Sequence, residues 1–256
     1  MPRAPDAETQ TVPDRGALSR VAAEICAAAA REAVAAHGSF AFVLTGGSTP
    51  RPLYELLAGR ASEALPWEQT HLFWGDERWV PPDHEESNYG MARDAMIDHV
   101  GVPEDQVHPM PTTDHDDPQD AAAAYANTLR RFADERPDAA PLFDLVLLGL
   151  GADGHVASLF PEDRPWEATG GREWVRAPYG PPRHAPRRRL TLTLDALAEA
   201  QDTLFLVSGE EKRDAARAVL REGDPAKPAS HVRALRQVRW LLDEGAAGDV
   251  HERGPS

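Results

Sequence analysis

Residues Leu145 to Leu148 form an unbroken apolar run that ends in the turn Gly149-Leu150-Gly151-Ala152-Asp153-Gly154-His155. An apolar run without alternation suits a strand of a parallel sheet whose two faces are both covered. The glycines let backbone N–H groups come close to a ligand, and turns at the carboxyl ends of strands are where α/β proteins place their chemistry. Gly149, Gly151 and Gly154 also satisfy the Gly-x-Gly-x-x-Gly spacing of a dinucleotide-binding turn. Such a turn should open a long helix that receives the pyrophosphate, and Pro161 follows too soon for one. Asp153 would also put a carboxylate where the pyrophosphate must lie. The segment therefore reads as a catalytic loop in preference to a cofactor cradle.

Strands alternating with helical stretches over 256 residues favour a single α/β unit. The expected organisation is one domain over 16–244, with a flexible segment at 1–15 and a flexible tail from Gly245. Cys26 is the only cysteine, which rules out an intrachain disulfide and fits a reducing cytoplasm. No apolar run reaches the length of a membrane span, and Met1 to Val12 is polar, so neither membrane insertion nor secretion is expected. A formal net charge of −15 opposes general nucleic-acid binding, which needs clustered positive charge. An anionic substrate would need a locally basic pocket.

Along the chain, Gly16 to His37 reads as an Ala-rich helix with Leu18, Val21, Ile25 and Ala29 on one face. Phe40 to Leu44 reads as a buried strand running into Thr45-Gly46-Gly47-Ser48-Thr49-Pro50. There Thr49 is expected to cap a helix whose buried stripe is Leu53, Leu56 and Leu57. His71 to Gly75 reads as a second strand delivering Asp76-Glu77-Arg78, and Ser87 as the cap of a helix to about His99. A helix over Gln119 to Glu135, the strand ending at Leu148, a basic Pro-rich loop from Pro178 to Arg188 and a strand from Leu190 to Leu194 follow. The chain then continues with a strand over Thr203 to Val207, helices over Glu210 to Glu222 and near Ser230 to Leu235, and a strand over Val238 to Leu242.

Several of these loops can carry chemistry. Gly46 and Gly47 would let backbone amides face a phosphate at a helix N-terminus, with the Ser48 and Thr49 hydroxyls as added donors. The same residues also suit a plain tight turn with a capped helix. The segment is too short for a P-loop and lacks Gly-Lys-Ser/Thr, which disfavours a nucleoside triphosphate. Arg78, at a strand end, offers a permanent cation to a phosphate or an oxyanion, or else makes a strand-end salt bridge. His155 is the natural general base with Asp153 orienting it, while an Asx turn before a helix start is the alternative use of the pair. Arg189 and Lys212 fall at element ends facing the same presumed pocket, although solvated surface positions are the usual place for such residues. His108, His115 and His184 are scattered in loops without metal-ligand spacing, so no metal is expected.

Taken in order, these segments resemble the 6-phosphogluconolactonase family. Thr45 to Pro50 is similar to its first phosphate loop, Trp74-Gly75-Asp76-Glu77-Arg78 with Ser87-Asn88 to its second signature, and Gly149 to Pro161 to its Gly-x-Gly-x-Asp-Gly-His-x-Ala-Ser-Leu-Phe-Pro block. Arg189-Leu190-Thr191-Leu192-Thr193 and Gly209-Glu210-Glu211-Lys212 complete the set, so the resemblance runs from about Gly16 to Leu242. It implies an α/β three-layer sandwich around a mostly parallel, Rossmann-like sheet, the fold of glucosamine-6-phosphate deaminase and ribose-5-phosphate isomerase. It further implies hydrolysis of 6-phospho-D-glucono-1,5-lactone without metal or organic cofactor; the expected partner is the sugar-phosphate lactone alone, and the expected state a monomer. By position, His155 would activate water with Asp153 orienting it, and Arg78 would polarise the ester or contact phosphate. Ser48, Thr49, Arg189 and Lys212 would hold the phosphate, and the adjacent Arg187 and Arg188 leave open which arginine does so. A deaminase-like isomerase is the nearest rival, but deaminases resemble Ala-Phe-Asn-Glu-Pro where this chain has Ala157-Ser158-Leu159-Phe160-Pro161. A non-catalytic sugar-phosphate sensor is the other, and there is no room for a helix-turn-helix domain before Gly16.

Overall fold

The computed structural model describes residues 8–59, 65–165, 173–248 and 250. Helix α1 (Arg15–His37) starts where the Asp14 carboxylate accepts from the Ala17 N–H at 2.7 Å, and it ends at Gly38, whose φ of 87° suits glycine. Its buried stripe is Leu18, Ala22, Cys26, Ala30 and Ala33, while Val21 and Ile25 lie half-buried at its edge. The expected stripe is therefore displaced by one position. Small side chains let this helix lie close against the strands, and burial pushes the Cys26 thiol up to about 12, which leaves it inert.

Strands β1 (Glu8–Val12), β2 (Phe40–Leu44), β3 (Thr70–Trp74), β5 (Phe143–Leu148), β8 (Ala200–Val207) and β9 (Gln237–Asp243) form one parallel sheet in the order β1-β9-β8-β5-β2-β3. Every residue of β2 and β5 is buried, as their unbroken apolar runs require. A second, antiparallel sheet holds β4 (Asp76–Arg78), β7 (Arg189–Leu192) and β6 (Val175–Arg176) in the order β4-β7-β6. Gly75 is the seam between the two: its N–H donates to Leu44 O at 2.9 Å, and its carbonyl accepts from Leu192 N at 2.8 Å. The small sheet thus stands at the carboxyl end of the large one. The remaining helices are α2 (Arg51–Ala58), α3 (Asn88–Ala95), α4 (Pro118–Glu135), α5 (Leu194–Ala198), α6 (Arg213–Leu220) and α7 (Glu244–Ala247).

Several expectations are corrected. Glu8–Val12 is no loose segment but an edge strand, which pairs residue for residue with Arg239 to Asp243. The tail is ordered through α7, where Ala246 and Ala247 are buried and the Asp243 carboxylate accepts from Ala246 N at 2.9 Å. Residues 1–7, 249 and 251–256 lie outside the described residues. Thr49 caps nothing: Pro50 takes the capping position of α2 without a side-chain bond, and Leu56 is exposed while Tyr54 joins Leu53 and Leu57 inside. Strand β7 stops at Leu192 because the Thr193 hydroxyl turns to cap α5.

At the opposite end of β5 from the glycine turn, Asp144 is a buried acid. It accepts from Arg136 Nη2 at 3.0 Å, from Ala41 N at 2.7 Å and from His37 Nε2 at 2.9 Å. Asp144→Ala strands a buried guanidinium and is expected to cost about 3–5 kcal/mol, read as a lower urea midpoint. A loss no greater than the about 0.5 kcal/mol of a surface change would refute this. A second, half-buried polar pair links β3 to the loop after α3: His71 Nδ1 and His108 Nε2 lie 3.2 Å apart, with the His108 ring stacked on Phe73. One nitrogen must donate and the other accept, so protonation of the accepting nitrogen breaks the bond, and burial, followed by the His71 charge, pushes His108 down to about 4. The folded value lies below the unfolded one of about 6.5, so the unfolded chain binds more protons as pH falls through this window and stability is lost across it. His108→Phe should flatten this acid limb in urea melts run between those two pH values; an unchanged slope would contradict the assignment.

Candidate active site

The carboxyl ends of β2 and β5 are neighbours at the centre of the sheet, and their connections leave in opposite directions, β2 to β3 on one side and β5 to β8 on the other. A crevice is left where the strand order reverses, and it holds a cleft of about 420 Å³. Into it run Thr45 to Pro50 after β2, the Gly149–Ala152 backbone and His155 after β5, Lys212 after β8, and Arg78 and Arg189 from the small sheet.

After β2, the buried Tyr54 hydroxyl accepts from Thr45 N at 2.9 Å and donates to Thr45 O at 2.8 Å, which ends the strand at a fixed point. Gly46 and Gly47 then turn into the cleft. A Cβ on Gly46 would sit 1.8 Å from Asn88 Oδ1, and Gly47 has a φ of 93°. Because α2 takes no side-chain cap, the Ser48 and Thr49 hydroxyls make no hydrogen bond to the described residues and remain available to a ligand.

After β5, Asp153 and His155 form a close pair. His155 Nδ1 lies 2.5 Å from Asp153 Oδ1, which also accepts from the His155 N–H at 3.1 Å. An ionised carboxylate only accepts, so Nδ1 carries the proton and Nε2 is left as the basic nitrogen. The ring sits over Phe160, 5.1 Å between centroids, and against Gly151, where a Cβ would fall 2.0 Å from Nδ1. Asp153 Oδ2 accepts from Arg183 Nη2 at 2.7 Å and from His184 Nε2 at 3.0 Å. Burial alone would raise the Asp153 pKa, but the donors from His155, Arg183 and His184 outweigh it and hold the carboxyl well below the usual carboxylate range. Behind the turn, Lys227 Nζ donates to the Asp153 carbonyl at 3.2 Å.

The two signature acids after β3 have different tasks. Glu77 is buried, and its carboxylate accepts from the N–H groups of Arg78, Asn88 and Tyr89 at 2.8, 2.8 and 2.7 Å, anchoring the start of α3. Asp76 faces the cleft but is engaged by Ser158 Oγ at 2.6 Å and by Asn88 Nδ2 at 3.4 Å. Arg78 is held by Glu86 through its carbonyl at 2.6 Å and its carboxylate at 3.1 Å. Directly opposite it in the β4–β7 ladder stands Arg189, buried, which donates to the carbonyls of Pro186 at 2.6 Å and His184 at 3.1 Å. Like charges facing each other across a ladder are unfavourable on their own, and an anion between them would relieve the repulsion. The Lys212 ammonium makes no hydrogen bond or ion pair to the described residues, so it too is open to an anion.

Every expected site residue except Asp153 lines this one cleft, and Asp153 holds the one that needs orienting. Of the three consecutive arginines only Arg189 lines it: Arg187 stacks on Tyr179 with 4.1 Å to the ring centroid, and Arg188 faces another groove. Arg183 and His184 were not anticipated. His184 is not stranded in a loop but bonded to a residue 31 positions earlier, a contact that an aperiodic Pro-rich loop gave no means of reading. Among the described residues, Asp153, His155 and His184 are the one group of three close enough to share a cation. Both carboxylate oxygens there already have protein donors. Gly151→Ala tests the packing of the base: the imidazole must leave its place, so turnover should fall at least about 100-fold while the thermal midpoint and far-UV spectrum hold. Full activity would mean that the ring does not work where it stands.

Comparison with known proteins agrees with this geometry. The sequence signature of the glucosamine-6-phosphate isomerases/6-phosphogluconolactonase family matches residues 13–240. A 6-phosphogluconolactonase of Synechocystis sp. is 44% identical over 222 residues, covering 86% of this chain and 88% of its own. That of Mycobacterium tuberculosis is 41% identical over 242 residues, covering 93% and 96%. The crystal structure of 6-phosphogluconolactonase from Thermotoga maritima superposes with a TM-score of 0.79 at 28% identity, over 93% of this chain and all (100%) of that one. A monomeric glucosamine-6-phosphate deaminase, at 22% identity and a TM-score of 0.75, shares the fold. With the signature spanning nearly the whole chain and its motifs gathered on one cleft, this protein belongs to the glucosamine-6-phosphate isomerase/6-phosphogluconolactonase family.

Proposed function

We propose that the chain hydrolyses 6-phospho-D-glucono-1,5-lactone to 6-phospho-D-gluconate, the lactone step of the oxidative pentose phosphate pathway. The observation that carries this reading is the Asp153–His155 pair, with a free imidazole nitrogen, set in a cleft that also presents Arg78, Arg189 and Lys212. Its relatives named as 6-phosphogluconolactonases support the same substrate. The deaminase alternative needs a carboxylate free for acid/base steps on the sugar. The 155–161 segment supplies none here, Asp76 is engaged by Ser158 and Asn88, and the other acid on the cleft wall, Glu211, follows β8 instead of the His155 turn.

In this mechanism the 6-phosphate is held by the amides of Gly46 and Gly47, the hydroxyls of Ser48 and Thr49, and the charges of Arg189 and Lys212. Binding energy gathered there, away from the reacting carbon, positions the ester. His155 Nε2 takes a proton from water as its oxygen bonds to the lactone carbonyl carbon, and the Asp153 carboxylate stabilises the imidazolium. The tetrahedral oxyanion is met by Arg78 or by the turn's backbone N–H groups. As the intermediate collapses, the ring C–O bond breaks and the imidazolium returns its proton to the leaving oxygen. The protein acts as a monomer in the cytoplasm in this reading, where the single buried Cys26 stays reduced.

The test is lactone hydrolysis measured above the spontaneous rate with freshly generated substrate. His155→Ala should lose about 10²- to 10⁴-fold in kcat with phosphate-sugar affinity nearly unchanged, because it deletes a base and no phosphate donor. Equal loss of binding and rate would contradict the role of His155, and a folded wild type that does not accelerate the reaction would refute the function.

A further inference from the structure

The Asp153 carboxylate serves two imidazoles. Oδ1 faces His155 at 2.5 Å, and Oδ2 takes the Nε2–H of His184 at 3.0 Å, so the plane of the carboxylate is fixed from both sides. The His184 ring is itself locked: it packs edge-on against His155 with 4.7 Å between centroids and stacks on the buried Phe160 at 5.1 Å. Its carbonyl accepts from Arg189 Nη2, and the same guanidinium donates through Nε to Pro186 O. The loop is closed further back by Gly180 N to Arg187 O at 2.7 Å and Arg187 Nε to Gly180 O at 2.8 Å. Arg183 also reaches Oδ2, but its side chain is 47% exposed and is shared with Glu162 at 2.6 Å. Solvent screens such a contact, and a shared guanidinium does not fix one carboxylate orientation.

We propose that His184 is a positioning residue for the hydrolysis, acting through Asp153 to keep Oδ1 on the Nδ1–H of His155 and so keep Nε2 basic and aimed into the cleft. Without the His184 donor, the carboxylate is free to rotate about its terminal torsion toward Arg183, and the His155 tautomer is no longer enforced. The inference rests on the lactonase reading, and it assigns a task to the loop over Pro178 to Arg188 that the phosphate-binding role of Arg189 leaves unexplained. Partner groups that orient a working histidine commonly contribute about 10- to 100-fold.

The test measures kcat and KM for lactone hydrolysis in His184→Ala, His184→Gln and His184→Asn, each in the wild-type and Asp153→Asn backgrounds. His184→Ala should lower kcat about 10- to 100-fold with KM unchanged within about twofold. His184→Gln, whose amide nitrogen reaches about as far as Nε2, should recover most of the rate, whereas the shorter His184→Asn should not. In the Asp153→Asn background, His184→Ala should add no further loss, since both act on one interaction. Losses that multiply, or a rise in KM with kcat intact, would overturn the proposal. A second readout needs no substrate: the ¹⁵N shifts of His155 should report the Nδ1–H tautomer in the wild type and a mixture in His184→Ala. Unchanged His155 shifts in that variant would overturn the inference whether or not the protein proves to be a lactonase, while an inactive wild type with the expected shifts would count against the function alone.

Discussion

Two neighbouring parallel strands whose connections depart in opposite directions leave a gap at their carboxyl ends, and here the gap between β2 and β5 organises the groups that can meet a ligand. Both strands are buried along their whole length, so their register is fixed by packing, and the turns that follow them are delivered to fixed points. Tyr54 closes the last peptide of β2, and the Tyr125 hydroxyl accepts from Trp74 N at 3.1 Å at the end of β3. Gly75 then divides its two backbone bonds between the sheets, which carries β4 out of the large sheet and stands Arg78 beside Arg189 over the gap.

A chain with a net charge of −15 must build any anion site locally. This one does so by giving three of the nearby carboxylates tasks before a ligand arrives. Glu77 is consumed by three backbone N–H groups, Asp76 by Ser158 and Asn88, and Asp153 by two imidazoles and a guanidinium. Arg189 shows the cost of the arrangement: burial, and the neighbouring charge of Arg78 after it, push its pKa below the ordinary value. A phosphate dianion between the two guanidiniums would offset that desolvation with charge-assisted hydrogen bonds.

The parts of the fold legible in the sequence were those set by local chemistry. The strand over Phe40–Leu44 and the caps at Ser87 and Asp117 depend on apolar runs or on a side chain bonding its own neighbours, and the first two were read correctly. The buried face of α1 lies one position from the expected one because an Ala-rich helix offers several adjacent apolar faces, and packing turns Leu18, Ala22, Cys26 and Ala30 inward and leaves Val21 and Ile25 half-buried at the edge. Strand β1 escaped notice because Glu8–Val12 is polar, and its strand character comes only from the edge of β9, more than two hundred residues away. Short motifs carry Gly46 to Thr49 and His155, which line the cleft, and Asp153, which pairs with His155 behind it. His184 was dismissed for lack of spacing, since its contact with Asp153 is made by the folding back of a whole loop.

That folded-back loop also bears on how the proposed chemistry responds to its surroundings. A dyad in which both members titrate near working pH would lose its orienting charge as easily as its base. Here burial works to raise the Asp153 pKa, and the donors of His155, Arg183 and His184 together overcome it, so the carboxyl is held well below the usual carboxylate range. Asp153 then contributes a fixed charge and a fixed direction. Two of the three donors come from a loop that Arg189 also pins, and Arg189 is one of the cations proposed to hold the phosphate. In that proposal, phosphate binding and orientation of His155 meet at one guanidinium, which gives a physical route by which an occupied phosphate site would steady the Asp153–His155 turn.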